Sequence, residues 1–100
     1  MFAIAFDLDC AATRANHPKT LSQAYSDIGN LLIKRGFRWE QGSLYLTDDE
    51  SMANLLSSIL ELRAPPWFLA SVRDIRAFRV EQWLDFTALV KEGPGVASKR

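Results

Sequence analysis

Three arginines and one aspartate fall within residues 72–80, Val-Arg-Asp-Ile-Arg-Ala-Phe-Arg-Val, a run whose remaining members favour a buried strand. Solvated sheet faces more often carry Thr, Lys and Glu. Several guanidiniums in one strand build a rigid row of donors shaped for phosphate oxygens or carboxylates. The competing reading is an edge strand kept soluble by its charge. The formal net charge is zero, with 12 Lys+Arg against 12 Asp+Glu, so no global field draws in a polyanion. Eight of the 12 cations are Arg, and Arg73, Arg76 and Arg79 are three of them, so any polyanion site is local. Other reactive groups stand alone. Cys10 has no second soft ligand or base nearby, and His17 lies in a stretch that reads as a solvated loop.

These residues need elements to place them. Residues 2–8 form a continuous apolar run, read as a central strand, with Phe2, Ile4, Phe6 and Leu8 on one face and Ala3, Ala5 and Asp7 on the other. Residues 9–19 lack periodicity and are expected to be a loop. Thr20 with Gln23 fits a capping box, and Leu21, Tyr25, Ile28, Leu32 and Arg35 trace one helical stripe that Gly36 ends. Residues 37–40 and 44–47 read as strands around Gln41-Gly42-Ser43. Thr47 or Asp48 should cap a second helix whose stripe is Met52, Leu55, Leu56, Ile59 and Leu62, ending at Pro65-Pro66. Trp83, Phe86, Leu89 and Val90 recur at helical spacing after the arginine strand.

The order strand, helix, strand, strand, helix, strand, with a short C-terminal helix, predicts an α+β ferredoxin-like βαββαβ fold. Its four-stranded sheet contains antiparallel pairs and carries both long helices on one face. One domain over 1–92 and a flexible tail over 93–100 are expected. Ala3, Ala5 and Asp7 would then lie in the middle of the uncovered face, and a second copy closing over it by two-fold symmetry predicts a homodimer. The single cysteine and the absence of a secretory pattern make the cytoplasm the expected location. No segment is long and apolar enough for a membrane span.

Three segments taken together, residues 2–8 (FAIAFDL), 36–45 (GFRWEQGSLY) and 71–81 (SVRDIRAFRVE), resemble the virulence-associated protein D (VapD) family over residues 1–91. The resemblance implies a small ferredoxin-like homodimer with endoribonuclease activity, acting as the toxin of a toxin–antitoxin pair, and related to small CRISPR-associated nuclease-like dimers. RNA and an antitoxin protein are the implied partners. A catalytically silent dimeric module that binds nucleic acid or a protein is the alternative.

In such a sheet the first and last strands are antiparallel neighbours, so Asp7 should lie near Asp74, and these two carboxylates are the leading catalytic pair. A bulge near Arg76-Ala77 is expected to turn Ile75, Phe78 and Val80 inward and Asp74, Arg76 and Arg79 outward. Ser43 and Tyr45 are assigned to a strand parallel to the first, which would leave Ser43 on the order of 10 Å from Asp7. Ser43 is therefore a second-tier catalytic candidate. For metal-free cleavage, Asp7 or Asp74 would take the 2′-OH proton while Arg73, Arg76 or Arg79 stabilise the charge on phosphorus. With metal, Asp7 from each subunit would hold one Mg²⁺ across the dimer axis. An ion pair of either aspartate with an arginine, fixing the dimer, remains the structural alternative. Trp39, Tyr45, Trp67 and Trp83 could stack on bases; Trp67 and Trp83 read as core anchors, and Tyr45 is assigned to the exposed face as a substrate contact.

Overall fold

The protein is described by a computed structural model over residues 1–94. Its elements are β1 (Phe2–Leu8), α1 (Cys10–Asn16), α2 (Leu21–Lys34), β2 (Arg38–Gln41), β3 (Leu44–Thr47), α3 (Met52–Glu61), α4 (Pro66–Ser71), β4 (Val72–Arg79) and α5 (Thr87–Glu92). The strands form one sheet in the order β2-β3-β1-β4, antiparallel throughout, which is the ferredoxin-like arrangement. The tail expected from residue 93 lies outside the described residues beyond Pro94.

The apolar face of β1 drives the packing. Phe2, Ile4, Phe6 and Leu8 meet Ala24, Ile28 and Leu32 of α2, Leu55 of α3 and Phe68 of α4 in one buried cluster. Burying these side chains contributes about 1.5–3 kcal/mol each. The Thr20 hydroxyl caps α2 by accepting the Gln23 N–H at 3.1 Å, as the capping box predicts. Gly42 carries the positive φ of 49° that turns β2 into β3.

Several expectations fail for identifiable reasons. Residues 10–16 are a helix rather than a loop, because Asp9 caps them: its carboxylate accepts the Ala12 N–H at 2.8 Å. The segment is alanine-rich and has good helix propensity, although it lacks an apolar stripe. Ser51, not Thr47 or Asp48, caps α3, so its inner face is Leu55, Ser58, Ile59 and Leu62, and Met52 and Leu56 stay exposed. Strand β3 runs antiparallel to β1, not parallel, pairing Ala5 with Leu44 and Ile4 with Tyr45. The bulge in β4 is not at Arg76-Ala77. Pairing is regular from Phe2–Arg79 to Asp7–Asp74 and shifts only where Leu8 meets Val72. Ile75, Ala77 and Arg79 therefore lie on the side of β1's apolar residues, while Asp74, Arg76 and Phe78 lie with Asp7. Trp67 packs on the core as expected, but Trp83 precedes α5 at the surface and donates to Glu40 at 3.0 Å. Ala3 is fully buried within the single chain, flanked by Leu46 and Phe78 in the neighbouring strands.

His17 is buried rather than solvated, with 6% of its surface accessible. Its Nδ1 accepts the Lys19 backbone N–H at 3.0 Å, so Nε2 carries the proton and donates to Asp27 at 2.8 Å. The ring edge meets Trp67 at 4.5 Å between centroids. This clasp ties α1 to α2 and α4.

Two stability predictions follow from this packing. A Cβ on Gly29 of α2 would overlap the Tyr45 hydroxyl and approach its Cζ to 3.0 Å, and the Tyr45 ring is held by stacking on Phe6. Gly29→Ala should therefore destabilise the protein by on the order of 1 kcal/mol in urea denaturation, overpacking outweighing the helix-propensity gain. Removing the hydroxyl with Tyr45→Phe should recover most of that loss. The second concerns acid. The Gln23 and His17 hydrogen bonds hold Asp27 below its ordinary value of 3.8. Its folded pKa is thus the lower one, so its contribution is complete above 3.8 and disappears as pH falls through the lowered value. Asp27→Asn should flatten the acid limb of stability against pH, read by urea denaturation at a series of pH values.

Candidate active site

Asp7 is the last residue of β1 to pair before the bulge, and its side chain emerges on the face the helices leave uncovered. Asp74 is its direct partner in β4. Residues so opposed have Cα atoms about 4.5–5.5 Å apart, so the two carboxylates share one patch of surface. The bulge lies beside them. It leaves Arg73 as the extra residue of β4, and the guanidinium reaches across to Asp7 Oδ2 at 3.7 Å and to Asp9 Oδ2 at 3.5 Å.

The two arginines of this patch are held differently. Arg76 Nε sits 3.1 and 3.0 Å from the two Asp74 oxygens, a close charge-assisted contact that orients that carboxylate. Arg73 makes only longer, solvent-exposed approaches to Asp7 and Asp9, and such pairs contribute about 0–1 kcal/mol. A phosphate presenting two oxygens can displace them at little cost. Asp9 was not a candidate from sequence. Its signal was the N-cap position before Ala12, and that backbone hydrogen bond, aided by Arg73, holds its carboxyl below the usual range.

Because β3 is antiparallel to β1, Ser43 lies beside Phe6 rather than near residue 3 or 4. The Phe6 N–H donates to the Ser43 carbonyl at 3.3 Å, and the Ser43 hydroxyl donates to the Phe6 carbonyl. Ser43 is therefore one residue from Asp7, with its hydroxyl engaged in locking the hairpin onto β1. Tyr25 of α2 was read only as part of a packing stripe. Its hydroxyl accepts the Leu8 N–H at 3.3 Å and lies 3.4 Å from Asp7 Oδ1, closing the edge of β1 beyond the hairpin.

Two candidates lie elsewhere. Arg79 pairs with Phe2, five residues along the ladder from Asp7 and so roughly 17 Å away. It contacts Glu50 at 2.9 Å and stacks 4.7 Å over the Phe2 ring, while Glu50 also binds the Met1 amino group at 2.6 Å. Its role is to tie the opposite end of the sheet. Tyr45 is not on the open face. It is opposite Ile4 and buried on the helical side against Gly29. Among the described residues, no group of three or more His, Cys, Asp or Glu side chains is arranged to hold a metal ion. No helix of the described residues is long and apolar enough to cross a membrane.

Comparison with known proteins gives the arrangement a context. The chain is 65% identical over 91 residues to a Neisseria gonorrhoeae protein named Endoribonuclease VapD homolog, spanning 91% of this chain and 99% of the relative. It is 52% identical over 91 residues to Endoribonuclease VapD of Haemophilus influenzae, again covering 91% and 99% of the two chains. With Endoribonuclease VapD of Helicobacter pylori the identity is 40% over 93 residues, with the same coverage. No protein-family model matches.

Proposed function

We propose, from the premise that this chain belongs to the VapD endoribonuclease family, that it cleaves single-stranded RNA at the surface shared by Asp7, Asp74 and Arg73. The observation that carries this assignment is the direct pairing of Asp7 with Asp74 beside a bulge that aims Arg73 at Asp7. In this reading Arg73 exchanges its weak carboxylate contacts for the non-bridging phosphate oxygens. Asp7 takes the 2′-OH proton, the 2′-oxygen closes onto phosphorus, and the bond to the 5′-oxygen breaks. Arg73 then faces the extra negative charge on phosphorus, where a placed donor acts most strongly. Asp74, oriented by Arg76, lies on the same patch, and the Tyr25 hydroxyl, in contact with Asp7, is the O–H donor for the departing oxygen. Ser43 holds the strand that presents Asp7. A divalent ion such as Mg²⁺ would require Asp7 of a second subunit, since one chain does not offer three convergent ligands among the described residues.

The proposed working unit is a homodimer. Ala3 is already covered within the chain, so the case rests on the segment after β4, where Leu84, Phe86, Leu89 and Val90 are 59–75% exposed. A run of large apolar side chains left in water favours a second copy as its cover. Action as the toxin of a toxin–antitoxin pair, in the cytoplasm, belongs to the same proposal, with an antitoxin as the protein partner.

Asp7→Asn should lower kcat on a labelled single-stranded RNA by about 10²–10⁴-fold, the usual contribution of a positioned base, and Asp74→Asn should lower it by a smaller factor, since Asp74 adjoins the base without moving a proton itself. Arg73→Ala should raise KM and lower kcat, whereas Arg79→Ala should cleave like wild type. Cleavage that survives EDTA but is lost on RNA with a 2′-deoxy group at the scissile position would support 2′-OH attack. Undiminished turnover in both aspartate variants would defeat the assignment. For the dimer, Leu89→Asp should sediment as a monomer while keeping the wild-type far-ultraviolet circular dichroism.

A further inference from the structure

A cleft of about 420 Å³ runs between α2 and the β2–β3 hairpin, on the helical side of the sheet and away from the arginine face. Its walls include Tyr25, Ser26, Asn30, Ile33, Trp39 and Tyr45, and none of the residues lining it is charged. That volume falls within the roughly 300–1,000 Å³ of small-ligand clefts. Two features of its lining need a reason. Trp39 is 59% exposed, yet its indole is pinned because Nε1 donates to the Gly42 carbonyl at 2.8 Å. Tyr45 is 7% exposed, and its hydroxyl, which makes no hydrogen bond to the described residues, is the part of the side chain that reaches the solvent of the cleft. That hydroxyl stands where a Cβ of residue 29 would be, so the glycine is what allows the Tyr45 ring to reach the wall of the cleft at α2. Burial raises the Tyr45 pKa above its ordinary 10.0, and the group remains a neutral donor.

The cleft is continuous with the reacting centre at two points. Tyr25 lines it and also touches Asp7. Gly42 lines it, and the next residue, Ser43, is bonded to Phe6 immediately before Asp7. A chain whose phosphate lies at Arg73 can therefore place an adjacent group here by crossing the edge of β1 at Tyr25. The uncharged lining disfavours a phosphate in the cleft. A planar, neutral group with hydrogen-bonding edges suits a fixed indole, an apolar rim at Ile33, the Tyr45 hydroxyl within and Ser26 and Asn30 at the exposed border.

We propose that this cleft receives an unpaired nucleobase of the RNA next to the scissile phosphate, with Trp39 as the stacking platform and the Tyr45 hydroxyl contacting the base edge. The inference rests on the endoribonuclease reading above and assigns Trp39 to substrate selection rather than to bond breaking. Stacking of single-stranded bases on aromatic side chains tolerates many sequences, and a hydrogen bond to the Tyr45 hydroxyl adds preference among them.

The test uses a fluorescein-labelled single-stranded RNA of mixed sequence and the same RNA with an abasic site on either side of the cleavage position. Trp39→Ala should weaken binding, read by anisotropy, and raise KM by about 5- to 100-fold with kcat near wild type. Trp39→Phe should restore most of the loss. One abasic substitution should weaken wild type by a similar factor and leave Trp39→Ala unaffected, since each removes the same contact. Ser26→Trp, on an exposed position of α2, should obstruct the cleft and reproduce the defect without touching Trp39. Wild-type binding and KM in both Trp39→Ala and Ser26→Trp would overturn the proposal while Asp7-dependent cleavage stands, leaving a protein side chain as the occupant. Weakened binding by Trp39→Ala in a protein whose wild type does not cleave would sustain the cleft and remove the nuclease reading.

Discussion

The antiparallel ladder around β1 is the constraint on which the rest depends. A strand bonded on both edges has no freedom of register, because a slip of one residue would send Phe2, Ile4, Phe6 and Leu8 to the uncovered face and Asp7 into the core. The hydrophobic cost of that slip is many times any gain from moving one carboxylate. Burial of β1's apolar side thus dictates that Asp7 points outward, opposite Asp74, at the end of the strand where the ladder shifts. The catalytic candidates are placed by the core, not by attraction between themselves.

Charge is distributed within that frame so that each arginine of β4 has its own acidic counterpart. Arg79 joins Glu50 and the Met1 amino group at one end, Arg76 orients Asp74 in the middle, and Arg73 is shared by Asp7 and Asp9 at the other. Only the last arrangement is loose. The bulge sends Arg73 out of the regular alternation, and two distant carboxylates hold it less firmly than one near one. This explains how a chain of zero net charge can still offer a guanidinium to a phosphate: the cation is balanced but not saturated.

The two sides of the sheet differ in chemistry. Asp7, Asp74 and Arg76 lie on the open face, with Arg73 reaching Asp7 from the bulge, while Arg79 lies on the other side. The cleft beside α2 is uncharged and aromatic. Tyr25 and the hairpin turn border both, so the edge of β1 connects a site suited to charge with one suited to a flat neutral group. Gly29 serves this layout by letting the Tyr45 ring approach the helix, and its cost of about 1 kcal/mol in helix propensity is offset by that packing.

Periodicity alone determined the strands of β1 and the hairpin, the long α2 with its Thr20 cap, the ferredoxin-like order, and the pairing of the first strand with the last, because burial imposes periods of two and 3.6 on residue type. That order brings Asp7 near Asp74, but their direct pairing depends on where the bulge falls. Tertiary structure decided what periodicity does not encode. Helix α1 has no apolar stripe and depends on the Asp9 cap. His17 is buried by contacts with Asp27 and Trp67, distant in sequence. The charged residues of β4 alternate ambiguously, and only the β1 partner locates the bulge at Arg73 rather than at Arg76-Ala77. The direction of β3 then settles the rest: antiparallel pairing brings Ser43 next to Asp7 and turns Tyr45 under α2. Side-chain direction in a strand depends on which neighbour it is bonded to, and that is a property of the assembled sheet.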